Sequence, residues 1–122
     1  MKLIYSVIAA LVLTSCGMQS IPTSLNEVEA KWAEVQNQYK RRSDLIPNLV
    51  STVKGYASHE KETLQAVVEA RAKATSVNVN AGDLNQKSMA KFSQAQGGLS
   101  SALGRLMVVV EKYPDLKANA NF

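Results

Sequence analysis

Large apolar residues recur along the chain mostly at steps of three and four positions, and Arg42 and Glu60 interrupt the first of two such series. The first series contains Val28, Trp32, Val35, Tyr39, Ile46, Leu49, Val53, Tyr56, Leu64 and Val67. The second contains Phe92, Leu99, Leu103, Leu106, Val110 and Tyr113. Such steps place side chains on one side of a helix, whereas a half-buried strand alternates at every second residue. The pattern predicts an all-α fold in which helices meet along coiled-coil-like apolar seams, as an antiparallel helical bundle.

The first series predicts one long helix from about Leu25 to Thr75. Ser24 and Glu27 form a capping-box pattern at its start, since each side chain can satisfy a backbone amide of the first turn. Pro47 interrupts the helix, at a cost of about 3 kcal/mol. Because the apolar seam keeps its phase on both sides of Pro47, we expect one continuous helix that is kinked near Asp44. The alternative is a break at residues 44–46, with Pro47 as the first residue of a new helix.

A second helix is predicted after a loop at residues 76–82, which lacks the period and carries Asn and Gly. Residues 83–86 form a second capping-box pattern, and the helix is expected to end at residues 113–115, where Pro114 disfavours helical geometry in Tyr113. Residues 116–122 are expected to be a polar exit segment. Three glycines in this helix indicate a close helix approach or a bend: Gly97, Gly98 and Gly104.

The N-terminus predicts a signal peptide of lipoprotein type over residues 1–15. An apolar run follows Lys2 and covers residues 3–13, which is shorter than the roughly 20 residues that a membrane-spanning helix needs. Small residues then precede Cys16, as in the bacterial lipobox, whose cysteine is acylated and becomes the new N-terminus. Residues 16–23 are then a tether, and residues 24–122 form the helical domain.

Cys16 is the only cysteine of the chain. A free reactive thiol or a buried core residue are the alternatives, but lipidation explains both its position and its solitude. An uncleaved signal anchor is the competing interpretation of the N-terminus. Lipidation predicts a protein of the bacterial cell envelope that is membrane-anchored and faces the non-cytoplasmic side.

The formal charge is +4, and it falls to +3 once Lys2 is removed with the signal. Because the basic residues are spread along the chain, this balance indicates no nucleic-acid partner. One cluster stands out, formed by Lys40, Arg41 and Arg42. It is either a solvated helix face paired with nearby carboxylates such as Asp44, or a surface that binds anionic lipid or cell-wall polymer.

Few residues of the chain stand in a pattern that is typical of catalysis or metal binding. His59 and Glu60 begin a zincin-like pattern, but Thr63 stands where a second histidine ligand is needed, and the chain has no other histidine. No serine has a histidine partner by pattern, and no Gly-rich phosphate loop follows a strand. We therefore expect no catalytic residue, no metal site, no cofactor and no small-molecule substrate.

Several blocks together resemble the LemA family. They are Trp32 to Gln36, Tyr39 to Arg42, Asp44 to Val50, Val53 to Ala57, His59 to Glu62, Ala70 to Ala72, and Tyr113 to Asn119 with Asn121 and Phe122. The resemblance covers nearly all of residues 32–122, and a plain coiled coil would not reproduce its Pro, Gly and Tyr-Pro-Asp positions together.

The resemblance implies a helical-bundle protein of the bacterial envelope whose biochemical activity is unsettled. Members typically carry an N-terminal membrane-spanning helix, where this chain has a lipobox pattern. They also continue with further helix beyond the motif that ends at Phe122. We therefore expect a bundle that lacks its C-terminal helices, in a chain that is either a fragment or a short member.

Two helices leave parts of both apolar stripes uncovered, and four valines widen those stripes: Val50, Val68, Val108 and Val109. A broad apolar surface indicates an interface. We expect a non-enzymatic scaffold or interaction module that is marginally stable alone, or that binds a protein partner or a second copy through these faces. The alternative function is the binding of anionic lipid or wall polymer through the basic cluster.

Overall fold

The computed structural model describes residues 20–119, with side chains from residue 23. Within these residues the chain forms helices α1 (Ser20–Tyr56), α2 (Lys61–Ser76), α3 (Gln86–Glu111) and the short α4 (Pro114–Lys117). A 3-10 turn (Ala81–Asp83) lies between α2 and α3, and residues 20–119 contain no strand. The all-α prediction is confirmed. The predicted signal peptide and Cys16 lie outside the described residues.

The chain divides into two compact units, Met1–Val35 and Gln36–Phe122. In the first unit the structure describes the beginning of α1. The second unit contains the remainder of α1 together with α2, α3 and α4.

Helix α1 begins at Ser20, before the start predicted at Leu25. Pro22 lies in its first turn, where the missing amide has no intrahelical acceptor and therefore costs little. Ser24 consequently lies inside the helix and not at its N-cap, so the capping box predicted for Ser24 and Glu27 is wrong.

Helix α1 continues through Pro47, as the preserved seam phase predicted, but it ends at Tyr56 and not near Thr75. A turn at residues 57–60 separates it from α2, and the Glu60 amide donates to the Ala57 carbonyl oxygen at 3.1 Å. Ala57 is fully buried, so the turn itself belongs to the core. Because of this turn, the chain forms two helices that pack on each other where one long helix was predicted.

Cross-helix contacts in the Gln36–Phe122 unit establish the direction of each helix. Gln36 Nε2 donates to the Val79 carbonyl oxygen just beyond α2, and Arg71 Nε donates to the Ser43 carbonyl oxygen, so α1 and α2 are antiparallel. Moving forward along α1, Tyr39 contacts Phe92 and then Arg42 donates to Ser100, so α1 and α3 are parallel. The antiparallel bundle is confirmed, with three long helices where two were predicted.

The core of this unit is formed by aliphatic side chains from all four helices. Its largest fully buried residues are Val53, Val67, Leu99, Leu106, Val110 and Leu116. Most of them belong to the two predicted seams, because each seam is the helix face that turns toward the other helices.

Helix α3 begins at Gln86, after the N-cap residue Asn85. The Asn85 side chain accepts from the amides of Lys87 and Ser88, and the Ser88 hydroxyl accepts from the Asn85 amide at 3.0 Å. A capping box is therefore present, but two residues later than predicted. Asp83 ends the preceding 3-10 turn and is not the cap.

The C-terminal segment packs on the bundle. Leu116 is fully buried, and Asn119 Nδ2 donates to the Tyr56 hydroxyl at 2.8 Å. Tyr113 contributes a second link, because its hydroxyl donates to Glu60 Oε1 at 3.4 Å. The prediction of a polar exit segment from residue 116 is wrong for the described residues, because one buried leucine docks the segment.

Candidate functional site

The three residues of the predicted basic cluster have different surroundings. Lys40 Nζ forms an exposed ion pair with Asp44 Oδ2 at 2.7 Å. Arg42 is half-buried, and its Nη2 donates to Ser100 Oγ at 2.9 Å. Arg41 is exposed and makes no hydrogen bond or ion pair with any residue that the structure describes. The cluster therefore presents one unpaired cation, because its two neighbours are engaged within the bundle.

An open cleft of about 580 Å³ lies beside this cation. Arg41 and Arg42 line one part of it, and two amide side chains of α1 together with aliphatic side chains from α1 and α3 line the rest. Among them, Leu45 is 59% exposed. The cleft thus combines a guanidinium group with apolar surface, which suits an amphipathic anionic group.

A second surface lies on the described part of the first unit. Leu25, Val28 and Val35 are 65%, 50% and 39% exposed. Their spacing of three and seven residues places them on one side of α1, where they form an exposed apolar stripe. We call these three residues the α1 seam. Leu25 was not part of the predicted series, although it lies three residues before Val28, at the same spacing.

The remaining predicted seam residues are buried to different extents. Trp32 is buried, whereas Tyr39 and Tyr113 are half-buried. Tyr56 was expected in the core but is 44% exposed, because α1 ends at this residue and its ring lies at the edge of the bundle.

The valines that were expected to widen the apolar stripes also differ from one another. Val109 is buried in α3 and Val50 is half-buried, while Val68 and Val108 are 46% and 61% exposed. The third long helix covers only part of the apolar surface that the sequence predicted to be open.

His59 lies exposed in the turn between α1 and α2. Among the described residues no three His, Cys, Asp or Glu side chains are grouped closely enough to hold a metal ion. None of the helices within residues 20–119 is long and apolar enough to cross a membrane.

Comparison with known proteins identifies the family. The model of the LemA family matches residues 31–122. The chain belongs to the LemA family. It is similar to Protein LemA of Metamycoplasma hominis, with 28% identity over 96 residues. That alignment covers 77% of this chain and 39% of the relative, so the chain spans well under half the length of the curated relative it matches.

In this LemA family member, the blocks that carry the resemblance supply most of the long-range side-chain hydrogen bonds. Arg71 reaches the backbone of α1, and the pairs Tyr113–Glu60 and Asn119–Tyr56 join the C-terminal segment to the turn and to the end of α1. These residues hold the helices together. The LemA blocks therefore supply contacts that join the helices and their connections.

Proposed function

We propose that this protein is a non-enzymatic, envelope-anchored interaction module that binds a helix of another protein through the α1 seam. The exposure of Leu25, Val28 and Val35 on one side of α1 carries the proposal. Large apolar side chains at heptad spacing stabilise a helix pair when a second helix covers them. Helix-in-groove and helix-on-helix recognition use the same periodic anchors.

The anchor in this proposal is acylated Cys16, exposed after removal of residues 1–15. Each buried methylene of an acyl chain contributes about 0.8 kcal/mol, so several chains hold a protein firmly at a bilayer. The Cys16→Ser substitution is expected to abolish acylation and to release the protein from the membrane fraction. Mass spectrometry of the intact protein reports the loss of the acyl chains. Attachment of the variant that is as strong as that of the wild type would contradict the anchor.

The seam is tested by placing carboxylates on it. We expect Leu25→Glu with Val28→Glu to reduce recovery of the partner from the native envelope by about tenfold or more, because a carboxylate buried at an interface is costly unless it is paired. Recovery is measured by quantitative mass spectrometry after affinity capture of the tagged, lipidated chain.

The matched control is Val68→Glu with Val108→Glu, which changes two exposed valines of similar exposure outside the seam. This control is expected to retain the partner. Equal recovery by both double variants and the wild type would exclude the seam as the docking surface. Light scattering of the captured complex identifies whether the second helix comes from a different protein, as proposed, or from a second copy.

A second candidate function rests on the unpaired Arg41 beside the apolar cleft. In this alternative the cluster of Lys40, Arg41 and Arg42 binds anionic lipid or an acidic wall polymer. Each basic residue near an anionic surface contributes about 1 kcal/mol, and salt screens this attraction.

Sedimentation with anionic liposomes and with purified cell wall at two salt concentrations tests the second candidate. Arg41→Glu together with Arg42→Glu is expected to weaken a salt-sensitive association. Lys87→Glu together with Lys91→Glu, two exposed changes in α3, alters the net charge by the same amount and is the control. Binding that is unchanged in the double variant dismisses the basic cluster.

A further inference from the structure

A groove between α2 and α3 carries an excess of positive charge. It has a volume of about 570 Å³, and three exposed cations line it, Lys73 of α2 with Lys91 and Arg105 of α3. Glu69 is the carboxylate of the lining, and none of the three cations forms an ion pair with any carboxylate of the described residues. Water solvates such charges but does not neutralise them, so the groove attracts an anionic partner.

The cations are spread along the groove and not gathered at one point. Lys91 and Arg105 are fourteen residues apart on α3, which corresponds to about 21 Å along the helix axis. Since α2 and α3 are antiparallel, Lys73, near the end of α2, lies toward the same end of the groove as Lys91. A small anion cannot reach both ends, so an occupant that pairs with the cations of both ends is elongated.

Small residues line the groove between its charged side chains. They are Ala66 and Ala70 of α2 with Ala95 and Gly98 of α3. A Cβ atom placed at Gly98 would meet no atom within 4 Å, so this part of the groove is open. A narrow chain can therefore lie close to the backbones of both helices.

The rest of the lining disfavours two kinds of elongated ligand. Among the described residues that line the groove, none is aromatic, and Val77 is the largest apolar one. A docked helix uses several large apolar anchors at regular spacing, and single-stranded nucleic acid stacks its bases on aromatic side chains. The groove lacks what either ligand requires.

Glu69 distinguishes an acidic peptide from a uniformly charged polymer. Its Oε1 accepts from Gln65 Nε2 at 3.0 Å, and the residue is exposed. A phosphate chain carries a charge on every repeat and would place one of them beside this carboxylate. A peptide can place an uncharged residue there, and its backbone N–H groups can donate to Glu69 and to the amide oxygen of Gln94, which also lines the groove.

We propose that the groove between α2 and α3 binds an extended acidic segment of another protein, with carboxylates near both ends of the segment and an uncharged centre. At about 3.3 Å per residue, about seven residues span the distance from Lys91 to Arg105. The inference does not depend on the α1 seam or on Arg41, so its failure would leave the proposed function untouched.

Fluorescence anisotropy with the full chain in a non-ionic detergent tests the inference. The probe is a labelled heptapeptide with paired glutamates at each end and Ser-Gly-Ser between them, and the reference peptide has glutamine in place of each glutamate. The acidic peptide is expected to bind about tenfold more tightly than the neutral one. Equal affinity for the two peptides, or tighter binding of polyphosphate than of the acidic peptide, would overturn the proposal.

Lys73→Gln together with Arg105→Gln removes one cation from each end of the groove and is expected to weaken binding of the acidic peptide by about tenfold. Lys54→Gln together with Lys112→Gln is the matched control, because it removes the same charge from two exposed lysines that do not line the groove. The control should keep the affinity of the wild type. Equal weakening in both double variants would show a response to net charge alone and would refute the assignment.

Gly98 allows a second test that leaves the cations in place. Gly98→Trp is expected to block the groove and to weaken peptide binding by about tenfold, whereas Gly98→Ala should bind as the wild type does, since a Cβ atom fits there. A flat anionic surface would still reach the cations of the Gly98→Trp variant. Circular dichroism verifies that each variant is folded. Unchanged peptide affinity in folded Gly98→Trp would exclude the groove as the binding site.

Discussion

Arg71 Nε donates a hydrogen bond of 2.9 Å to the carbonyl oxygen of Ser43, the acceptor that Pro47 leaves without its helical donor. In an α-helix the amide of residue 47 would bond to the carbonyl of residue 43, but Pro47 has no amide hydrogen. Ser43 is buried, so water cannot easily satisfy this oxygen. The Arg71 guanidinium group of α2 takes the place of the missing donor. The hydrogen bond that α1 lacks at Pro47 is thus replaced by one between α1 and α2.

Arg71→Met is therefore expected to destabilise the protein by about 1–3 kcal/mol, because it leaves a buried carbonyl unpaired. The same change should cost less in a Pro47→Ala background, in which the substituted residue restores the helical amide. The double-mutant cycle, measured by urea unfolding, is expected to give a coupling energy of about 1 kcal/mol. A coupling near zero would show that Arg71 does not replace the donor lost at Pro47.

Leu116 holds the C-terminal segment against the bundle, since its side chain is fully buried. Leu116→Ala should cost about 2–5 kcal/mol through lost burial and the cavity that it leaves. The control is Leu45→Ala, since this leucine is 59% exposed and its truncation should stay within about 0.5 kcal/mol. Equal free energies of unfolding for the two variants would contradict the docking of this segment.

Two candidate caps of α3 can be separated by substitution. Asn85→Ala is expected to lower stability by about 1 kcal/mol, because the Asn85 side chain accepts from two amides of the first turn. Asp83→Ala should have a smaller effect, since the carbonyl oxygen of Asp83, and not its carboxylate, accepts from Asn85 and Ser88. Thermal unfolding of both variants decides between the cap seen in the structure and the cap predicted from the sequence.

The glycines of α3 were expected to mark a close helix approach or a bend. The helix runs unbroken from Gln86 to Glu111, and a Cβ atom placed at Gly97 or Gly104 would meet no atom within 4 Å. Gly97→Ala and Gly104→Ala should each stabilise the protein by about 1 kcal/mol through helix propensity. A loss of stability in either variant, measured by urea unfolding, would reveal a close contact at that position.

The sequence predicted most of the fold because apolar periodicity reports directly on buried helix faces. The apolar pattern correctly predicted that α1 continues through Pro47, because the seam keeps its phase there. It missed the turn at residues 57–60 because the step of eight residues from Tyr56 to Leu64 still fits the spacing of a broad apolar helix face. Gly55, one residue before the end of α1, was the available signal.

The candidate sites were harder to predict from the sequence than the fold. Lys40, Arg41 and Arg42 are adjacent in sequence, but their different partners depend on Asp44 and on Ser100 of α3. Leu116 is an isolated apolar residue, so no period could reveal its burial. A local pattern cannot report contacts that form only when separate helices meet.

The most direct test of the central claim is a photocrosslinking scan along residues 24–35 of the lipidated chain in its native envelope. A photoreactive residue is placed at one position at a time, and the yield of crosslinked partner is measured. We predict maxima at Leu25, Val28 and Val35, with little yield from Val68 as the control outside the seam. A yield without helical periodicity, or one that is equally high at Val68, would contradict docking through the α1 seam.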